Sequence, residues 1–76
     1  MQELVTYLAR RLVDEPDAVR VDAERDGDTL HLSLSVASGD VGKVIGKQGR
    51  IIRAMRTVVR SGGARDGQRV MLEIVE

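Results

Sequence analysis

The sequence of 76 residues contains no cysteine, tryptophan or phenylalanine, and Tyr7 is its only aromatic residue. Without cysteine, the chain can form neither a disulfide framework nor a thiolate metal site. RNA-recognition-motif and cold-shock folds stack bases on several aromatic side chains of their strands. One tyrosine near the N-terminus cannot supply such a surface, so both folds are disfavoured.

No stretch approaches the roughly 20 consecutive apolar residues that a membrane-spanning helix requires. The first residues, MQELVTYLARRLVDEP, are amphipathic and acidic and lack the uninterrupted apolar run of a signal peptide. We therefore expect a cytoplasmic protein with no membrane partner. A chain of this length has room for one domain, which we place at residues 1–76.

Catalytic motifs are also missing. His31 is the only histidine and alternates with small polar residues on the outer face of a predicted strand, so no nucleophile–base pair is available. The run Gly42-x-x-x-Gly46-Lys47 is one residue too short for a P-loop, and Gln48 stands where that motif needs serine or threonine. We predict that the protein is not an enzyme and uses no cofactor and no metal.

Charge, in contrast, is abundant and unevenly distributed. The chain carries 12 basic and 12 acidic residues, so its formal net charge is zero. Residues 1–40 contain 4 basic and 9 acidic residues, a net charge of −5, whereas residues 41–76 contain 8 basic and 3 acidic residues, a net charge of +5. A domain polarised in this way can attract nucleic acid with one face. Alternatively, the two halves attract each other within the fold or between two copies.

The first half of the chain is predicted to form a helix and a hairpin. Residues 2–13 have apolar side chains at helical spacing, and Pro16 follows the end of this helix. Apolar and polar residues alternate with a period of two over residues 19–24 and 29–36, which predicts two strands. Asp26-Gly27-Asp28 between them is typical of a hairpin turn, so these strands should be antiparallel.

The second half is predicted to contain two helices. Ser38 or Asp40 can cap a short helix over residues 41–45, and a longer helix covers residues 50–60. Residues 61–68 form a predicted loop that includes a glycine C-cap.

The last predicted strand, residues 70–75, is apolar enough to lie at the centre of the sheet or to be buried on both faces. A helical crossover connects it to the second strand, so these two strands should be parallel, with a right-handed connection. The predicted fold class is α+β, in the order α-β-β-α-α-β, with three helices on one face of a three-stranded mixed sheet.

Residues 41–60 read VGKVIGKQGRIIRAMRTVVR and include six basic residues and no acidic one. In the middle, Gly46-Lys47-Gln48-Gly49 places a glycine-bounded turn, called the GKQG turn below, at the N-terminus of a basic amphipathic helix. The first amides of a helix lack partners and carry partial positive charge, and glycine lets a phosphate approach them closely. The pattern indicates a phosphate-binding turn. A purely structural turn beside a solvated basic face is the alternative.

The motif Val44-Ile45-Gly46-Lys47-Gln48-Gly49, followed by Ile52, resembles the signature of the KH domain, in which an apolar pair precedes G-x-x-G. The predicted element order is similar to the type II form of that fold, and the resemblance covers the whole chain. A KH domain that stands alone resembles a family of small bacterial single-KH RNA-binding proteins. The resemblance thus implies a single type II-like KH domain over residues 1–76.

The resemblance also implies a set of binding residues. In KH domains the G-x-x-G turn clamps the backbone of about four single-stranded nucleotides, beside a groove with an apolar floor and a charged rim. The implied RNA-binding residues are Gly42, Ile45 and Ile52 in the floor, Gly46, Lys47, Gln48 and Gly49 in the turn, and Lys43, Arg50 and Arg53 at the rim.

We therefore expect a protein that grips single-stranded RNA with little sequence choice, as a low-specificity RNA chaperone or a post-transcriptional regulator. The alternative from another functional class is a protein-interaction or dimerisation module in which the GKQG turn is only structural. The resemblance further implies a homodimer and a heterodimer with a larger Jag-type KH-containing protein as possible assemblies.

Overall fold

The computed structural model describes residues 1–75, and this part of the chain contains three α-helices and one three-stranded sheet. In chain order, the elements are α1 (Gln2–Leu12), β1 (Arg20–Asp26), β2 (Thr29–Ser35), α2 (Val41–Ile45), α3 (Arg50–Arg65) and β3 (Arg69–Ile74). The predicted order α-β-β-α-α-β is confirmed. No helix in the described residues has the length and apolar character that crossing a membrane requires.

The sheet is mixed, as predicted, with the strand order β1-β2-β3. β1 and β2 form an antiparallel hairpin in which Asp26 lies opposite Thr29, so Gly27 and Asp28 make a two-residue loop. Gly27 has a φ of +61°, as expected for glycine at the first central position of a type II′ turn. β3 pairs with β2 in parallel, because the α2–α3 crossover returns the chain to the same end of the sheet.

The core lies between the helices and one face of the sheet. Its buried side chains follow helical spacing in α1 and α3 and alternate along β2 and β3. The members with less than one-twentieth of their surface exposed are Val5, Ala9, Leu32, Leu34, Val44, Met55, Val59, Val70 and Leu72. Apolar periodicity therefore selects the face that each element buries.

The position of β3 differs from its prediction. β3 is an edge strand, and only one of its faces is buried: Val70 and Leu72 lie in the core, whereas Met71 is 45% exposed. The apolar run predicted burial on both faces because it contains Met71 and Val75, two apolar residues that face solvent. A solvent-exposed apolar residue cannot be told from a core residue by composition alone.

α3 is longer than predicted, because it continues to Arg65 through most of the segment expected to be a loop. Gly63 is buried in this extension, and a Cβ there would lie 2.5 Å from Cγ2 of Val70 and 2.7 Å from the carbonyl oxygen of Gln68. This glycine thus permits close packing of α3 on β3 and does not end the helix. The glycine that follows the C-cap is Gly67, whose φ is +68°, and the C-cap residue itself is Asp66.

Candidate functional site

The GKQG turn joins α2 to α3 through a backbone that has positive φ at three positions. Gly46 has φ +78° and ψ 171°, Gln48 has φ +57° and ψ 25°, and Gly49 has φ +73° and ψ 17°. Within residues 1–75, Gln48 is the only residue other than glycine with a positive φ. These conformations redirect the chain from the end of α2 into the first turn of α3 within four residues.

Of the two glycines of the turn, Gly46 is the one at which packing leaves no room for a side chain. A Cβ at Gly46 would lie 2.6 Å from Cγ1 of Ile51 and 2.9 Å from the amide nitrogen of the same residue. A Cβ at Gly49 would meet only Cγ2 of Ile52, at 3.9 Å, so its glycine is required by φ alone. The turn backbone therefore lies directly against the first turn of α3.

Two arginines of α3 reach back to the turn. Nη2 of Arg53 donates a hydrogen bond to the carbonyl oxygen of Gln48 at 2.8 Å, and Nη2 of Arg50 donates a longer one to Oε1 of Gln48 at 3.5 Å. The Arg53 bond is charge-assisted, and such bonds are stronger than neutral ones. It therefore stabilises the residue that carries the unfavourable left-handed conformation.

The turn is surrounded by positive charge that lacks a carboxylate partner within residues 1–75. The side chains of Lys47, Arg50 and Arg53 are exposed, and none of them forms an ion pair there. Exposed cations beside a glycine-bounded helix N-terminus are the arrangement that binds phosphate groups in many proteins. The geometry at this end of α3 therefore favours an anionic ligand.

Lys43, a predicted rim residue, forms ion pairs with carboxylates of the same chain. Its ammonium pairs with a carboxylate oxygen of Asp14 and lies 3.4 Å from Oδ1 of Asp40. Asp40 is only 3% exposed, and its Oδ2 accepts a hydrogen bond from the amide of Glu15 at 3.1 Å. Lys43 thus ties the segment after α1 to the start of α2, and carboxylates of the same chain neutralise its charge.

The predicted helix cap is wrong, because α2 has no side-chain cap although Asp40 immediately precedes it. Burial raises the pKa of the Asp40 carboxyl, but amide hydrogen bonds from Asp14 and Glu15, together with the Lys43 ammonium, outweigh this effect and lower the pKa overall. The hydrogen bond to Asp14 is the main cause of the raised pKa of Lys43. Sequence reasoning missed this cluster because Asp40 and Lys43 meet partners 25 and 29 residues away.

The predicted floor residues divide into two groups. Gly42 is exposed, and a Cβ at this position would meet no atom within 4 Å, while Ile45 is half-buried. Ile52, in contrast, is 6% exposed and belongs to the hydrophobic core. The structure therefore leaves Gly42 and part of Ile45 accessible near the turn, whereas the Ile52 side chain is largely occupied by core packing.

Arg56 was not among the predicted site residues, yet it connects α3 to the free edge of the sheet. Its Nε donates a hydrogen bond to the carbonyl oxygen of Leu72 in β3 at 3.0 Å. Spacing offered a signal for this residue, since Arg53, Arg56 and Arg60 recur at intervals of three and four residues and so share one helix face. The basic surface thus continues from the turn along α3.

Comparison with known protein families gives a match over almost the whole chain. The family model described as KhpA/KhpB, KH domain, covers residues 2–74. The match includes the GKQG turn and every helix and strand of the structure.

Several curated relatives of similar length carry the name RNA-binding protein KhpA. The protein of Halalkalibacterium halodurans is 49% identical over 76 residues, which is 100% of both chains. The protein of Caldanaerobacter subterraneus is 47% identical over 75 residues, 99% of this chain and 100% of the relative. The protein of Chlamydia trachomatis is 43% identical over 76 residues, 100% of this chain and 97% of the relative.

Proposed function

This chain belongs to the KhpA/KhpB family of KH domains, and on that basis we propose that it binds single-stranded RNA at the GKQG turn. The name carried by the relatives, RNA-binding protein, supports the class of ligand. The turn supports the place, because a G-x-x-G turn grips the nucleotide backbone in KH domains. The protein acts by binding and not by catalysis.

The observation that carries the proposal is the coincidence of a left-handed glycine-bounded backbone with unpaired positive charge. A phosphate that approaches the first turn of α3 meets the positive end of the helix dipole, the Lys47 ammonium and the Arg50 guanidinium. The glycines at either end of the turn have no side chain to keep the phosphate away.

Weak sequence selectivity follows from the same features. Contacts to phosphates position a strand but carry no information about its bases. Tyr7, the one aromatic side chain available for base stacking, belongs to α1 and not to the turn. A protein of this kind is suited to work as a low-specificity RNA chaperone or as a post-transcriptional regulator.

The double variant Lys47→Asp/Gln48→Asp tests the proposal. It puts two carboxylates where the phosphate has to lie, and the resulting repulsion should reduce affinity for a short single-stranded RNA at least tenfold, about 1.4 kcal/mol. The fold should survive, because both glycines are retained and aspartate enters the left-handed conformation at position 48 more readily than most residues. Fluorescence anisotropy measures binding, and thermal melting measures folding.

The matched control is Arg25→Asp/Ser38→Asp, which makes the same change in charge at two exposed positions outside the turn. RNA affinity of the control should stay within about twofold of wild type, less than roughly 0.5 kcal/mol. If the turn variant melts normally and binds RNA as wild type does, the GKQG turn is not the clamp.

A second candidate function, protein interaction, is favoured by an apolar groove between α1 and α3. The groove has a volume of about 380 Å³ and is lined mainly by aliphatic side chains, among them Leu8, Leu12, Ile51 and Val58. Val58 is 44% exposed although it belongs to the apolar pattern of α3. A surface of this kind is typical of a protein contact.

We infer that this groove serves a weak homodimer or a heterodimer with a larger Jag-type KH-containing protein. Val58→Asp should abolish self-association in sedimentation velocity at concentrations where wild type dimerises. Met71→Asp is the matched control, because Met71 is 45% exposed and lies on β3, outside the groove. Monomeric wild type up to high micromolar concentration would count against a homodimer, and the heterodimer then has to be tested by mixing the two proteins.

A further inference from the structure

We propose that the RNA-binding surface extends past the GKQG turn into a second basic cleft at the opposite end of α3. This inference rests on the proposed function, since it assigns further phosphates of the same RNA strand to residues outside the predicted site. The cleft has a volume of about 660 Å³ and lies between the C-terminal half of α3 and the start of β3. None of its residues belongs to the set that the KH resemblance implied.

The cleft offers several groups that donate hydrogen bonds to phosphate. Arg60 and Ser61 line it from α3, and Gln68 and Arg69 line it from the other side. Thr57 also lines the cleft, but its hydroxyl donates to the carbonyl oxygen of Arg53 at 3.0 Å. The side chains of Arg60 and Arg69 are exposed and form neither an ion pair nor a hydrogen bond in the described part of the chain. Free guanidinium groups have five donors each and suit the geometry of phosphate oxygens.

A continuous basic path connects this cleft to the turn. A smaller cleft of about 340 Å³ runs beside β3 and includes both Arg56 and Arg60, and Arg60 also lines the larger cleft. Arg53 lies one helical turn before Arg56 and contacts the GKQG turn through Gln48. Among the described residues that line the two clefts, Glu73 is the one carboxylate, and Arg56, Arg60 and Arg69 are basic. Positive charge therefore dominates along them.

The length of the path exceeds what a four-nucleotide clamp needs. From Gly49 to Ala64, the last residue of α3 in the cleft, the helix rises by about 22 Å at 1.5 Å per residue. A stacked strand advances about 3.4 Å along its axis for each phosphate, so about six nucleotides of such a strand span this distance. The clamp of KH domains accounts for about four nucleotides, which leaves the far end of α3 for the phosphates that follow.

Negative charge sets the far limit of the path. The next cleft shares Gly67 and Gln68 with the basic cleft, but Asp28 and Asp66 line it together with Arg25. These two carboxylates would repel a phosphate that entered this next cleft. The RNA footprint should therefore end near Arg69.

The test compares two lengths of oligouridylate on wild type and on Arg60→Gln/Arg69→Gln. Wild type should bind an RNA of about eight nucleotides more tightly than one of about four. The slope of log K against log salt should be steeper by about 1.4 for the longer RNA, because each of two further phosphates contributes about 0.7. The variant should lose about fivefold or more in affinity for the longer RNA and less than about twofold for the shorter one. For this variant, the slope of log K against log salt measured with the longer RNA should equal the slope measured with the shorter RNA.

Arg10→Gln/Arg25→Gln is the matched control, since it removes two exposed arginines outside the path and should change neither affinity more than about twofold. Equal losses on both RNAs, or no loss on either, would overturn the extension while the clamp at the turn still stands. Loss of self-association with unchanged RNA affinity would overturn it as well, because the cleft then holds the acidic half of a second copy. Wild type that binds neither RNA would overturn the extension and the proposed function together.

Discussion

The turns at Gly27 and Gly46 both contain glycine with positive φ, yet only the turn at Gly46 has the surroundings of a binding site. Gly27 turns the β1–β2 hairpin between Asp26 and Asp28, and a Cβ at Gly27 would meet no atom within 4 Å. Gly46 turns α2 into α3, lies against Ile51 and is followed by unpaired basic residues. Backbone conformation is therefore common to a structural turn and a candidate site, and packing and charge distinguish them.

The largest expected effect is a difference in folding free energy between the alanine variants of the two glycines. Gly27→Ala should cost about 1–2 kcal/mol of folding free energy, since only the left-handed conformation opposes alanine. Gly46→Ala should cost about 2–5 kcal/mol, because overpacking against Ile51 adds about 1–3 kcal/mol to the same strain. Urea unfolding measures both values. Equal costs would mean that the turn moves away from α3 easily and that close packing does not hold it.

A smaller effect should distinguish two lysines, Lys43 in α2 and Lys47 in the GKQG turn. Wild type should show a slope of log K against log salt of roughly −1.5 to −3 on short single-stranded RNA. Lys47→Gln should make this slope shallower by about 0.7 and leave the melting temperature unchanged. Lys43→Gln should leave the slope unchanged and lower the melting temperature, because the buried Asp40 carboxylate loses its ammonium partner. A shallower slope for the Lys43 variant would indicate that Lys43 contacts RNA as a rim residue.

The Asp40–Lys43 pair also predicts how stability depends on pH. The pKa of Asp40 is lowered from 3.8, so the unfolded state binds more protons, and the stabilisation is fully present above this value and lost as the pH falls through the folded pKa. The pKa of Lys43 is raised from 10.5, so its stabilisation is present below that value and lost as the pH rises through the folded pKa. The difference in urea midpoint between wild type and Asp40→Asn should shrink in acid. A constant difference down to about pH 2 would contradict the pairing.

The smallest effect is expected at the hairpin. Asp26→Asn/Asp28→Asn removes the acidic flanks of the Gly27 turn, but this turn joins two strands and has no helix N-terminus. RNA affinity should rise less than about twofold, below roughly 0.5 kcal/mol. A tenfold rise in anisotropy titrations would indicate that overall charge, and not the backbone of the GKQG turn, governs binding.

Much of the fold was readable from residue patterns, since local periodicity selects helix or strand and the buried face. The short helix Val41–Ile45, the antiparallel hairpin and the parallel pairing of β2 with β3 are all confirmed. Predictions about glycine and burial were less reliable. Gly62 and Gly63 are helical because α3 packs closely on its neighbours, and a sequence window contains no information on what lies across the interface.

In the candidate site, too, some features were predictable from the sequence and others depend on the tertiary structure. Sequence placed Gly46 and Gly49 at the ends of a basic turn, and the structure has them there with positive φ. It assigned similar rim roles to Lys43 and Arg53, which the fold separates: Lys43 is paired with Asp14 and Asp40, and Arg53 holds the carbonyl of Gln48. A spacing pattern records which charges are near in the chain, whereas ion pairing depends on which charges are near in space.

The sequence by itself determined the order of the elements, the two glycine turns and the basic character of α3, because these follow from local conformational preferences and from composition. Only the tertiary structure decided which charges remain free. Asp40 is buried by the packing of distant segments, and once buried it requires the amide of Glu15 and the ammonium of Lys43 as partners. Lys47, Arg60 and Arg69 face solvent without a carboxylate partner in the described chain, and their charge is what remains for an anionic ligand.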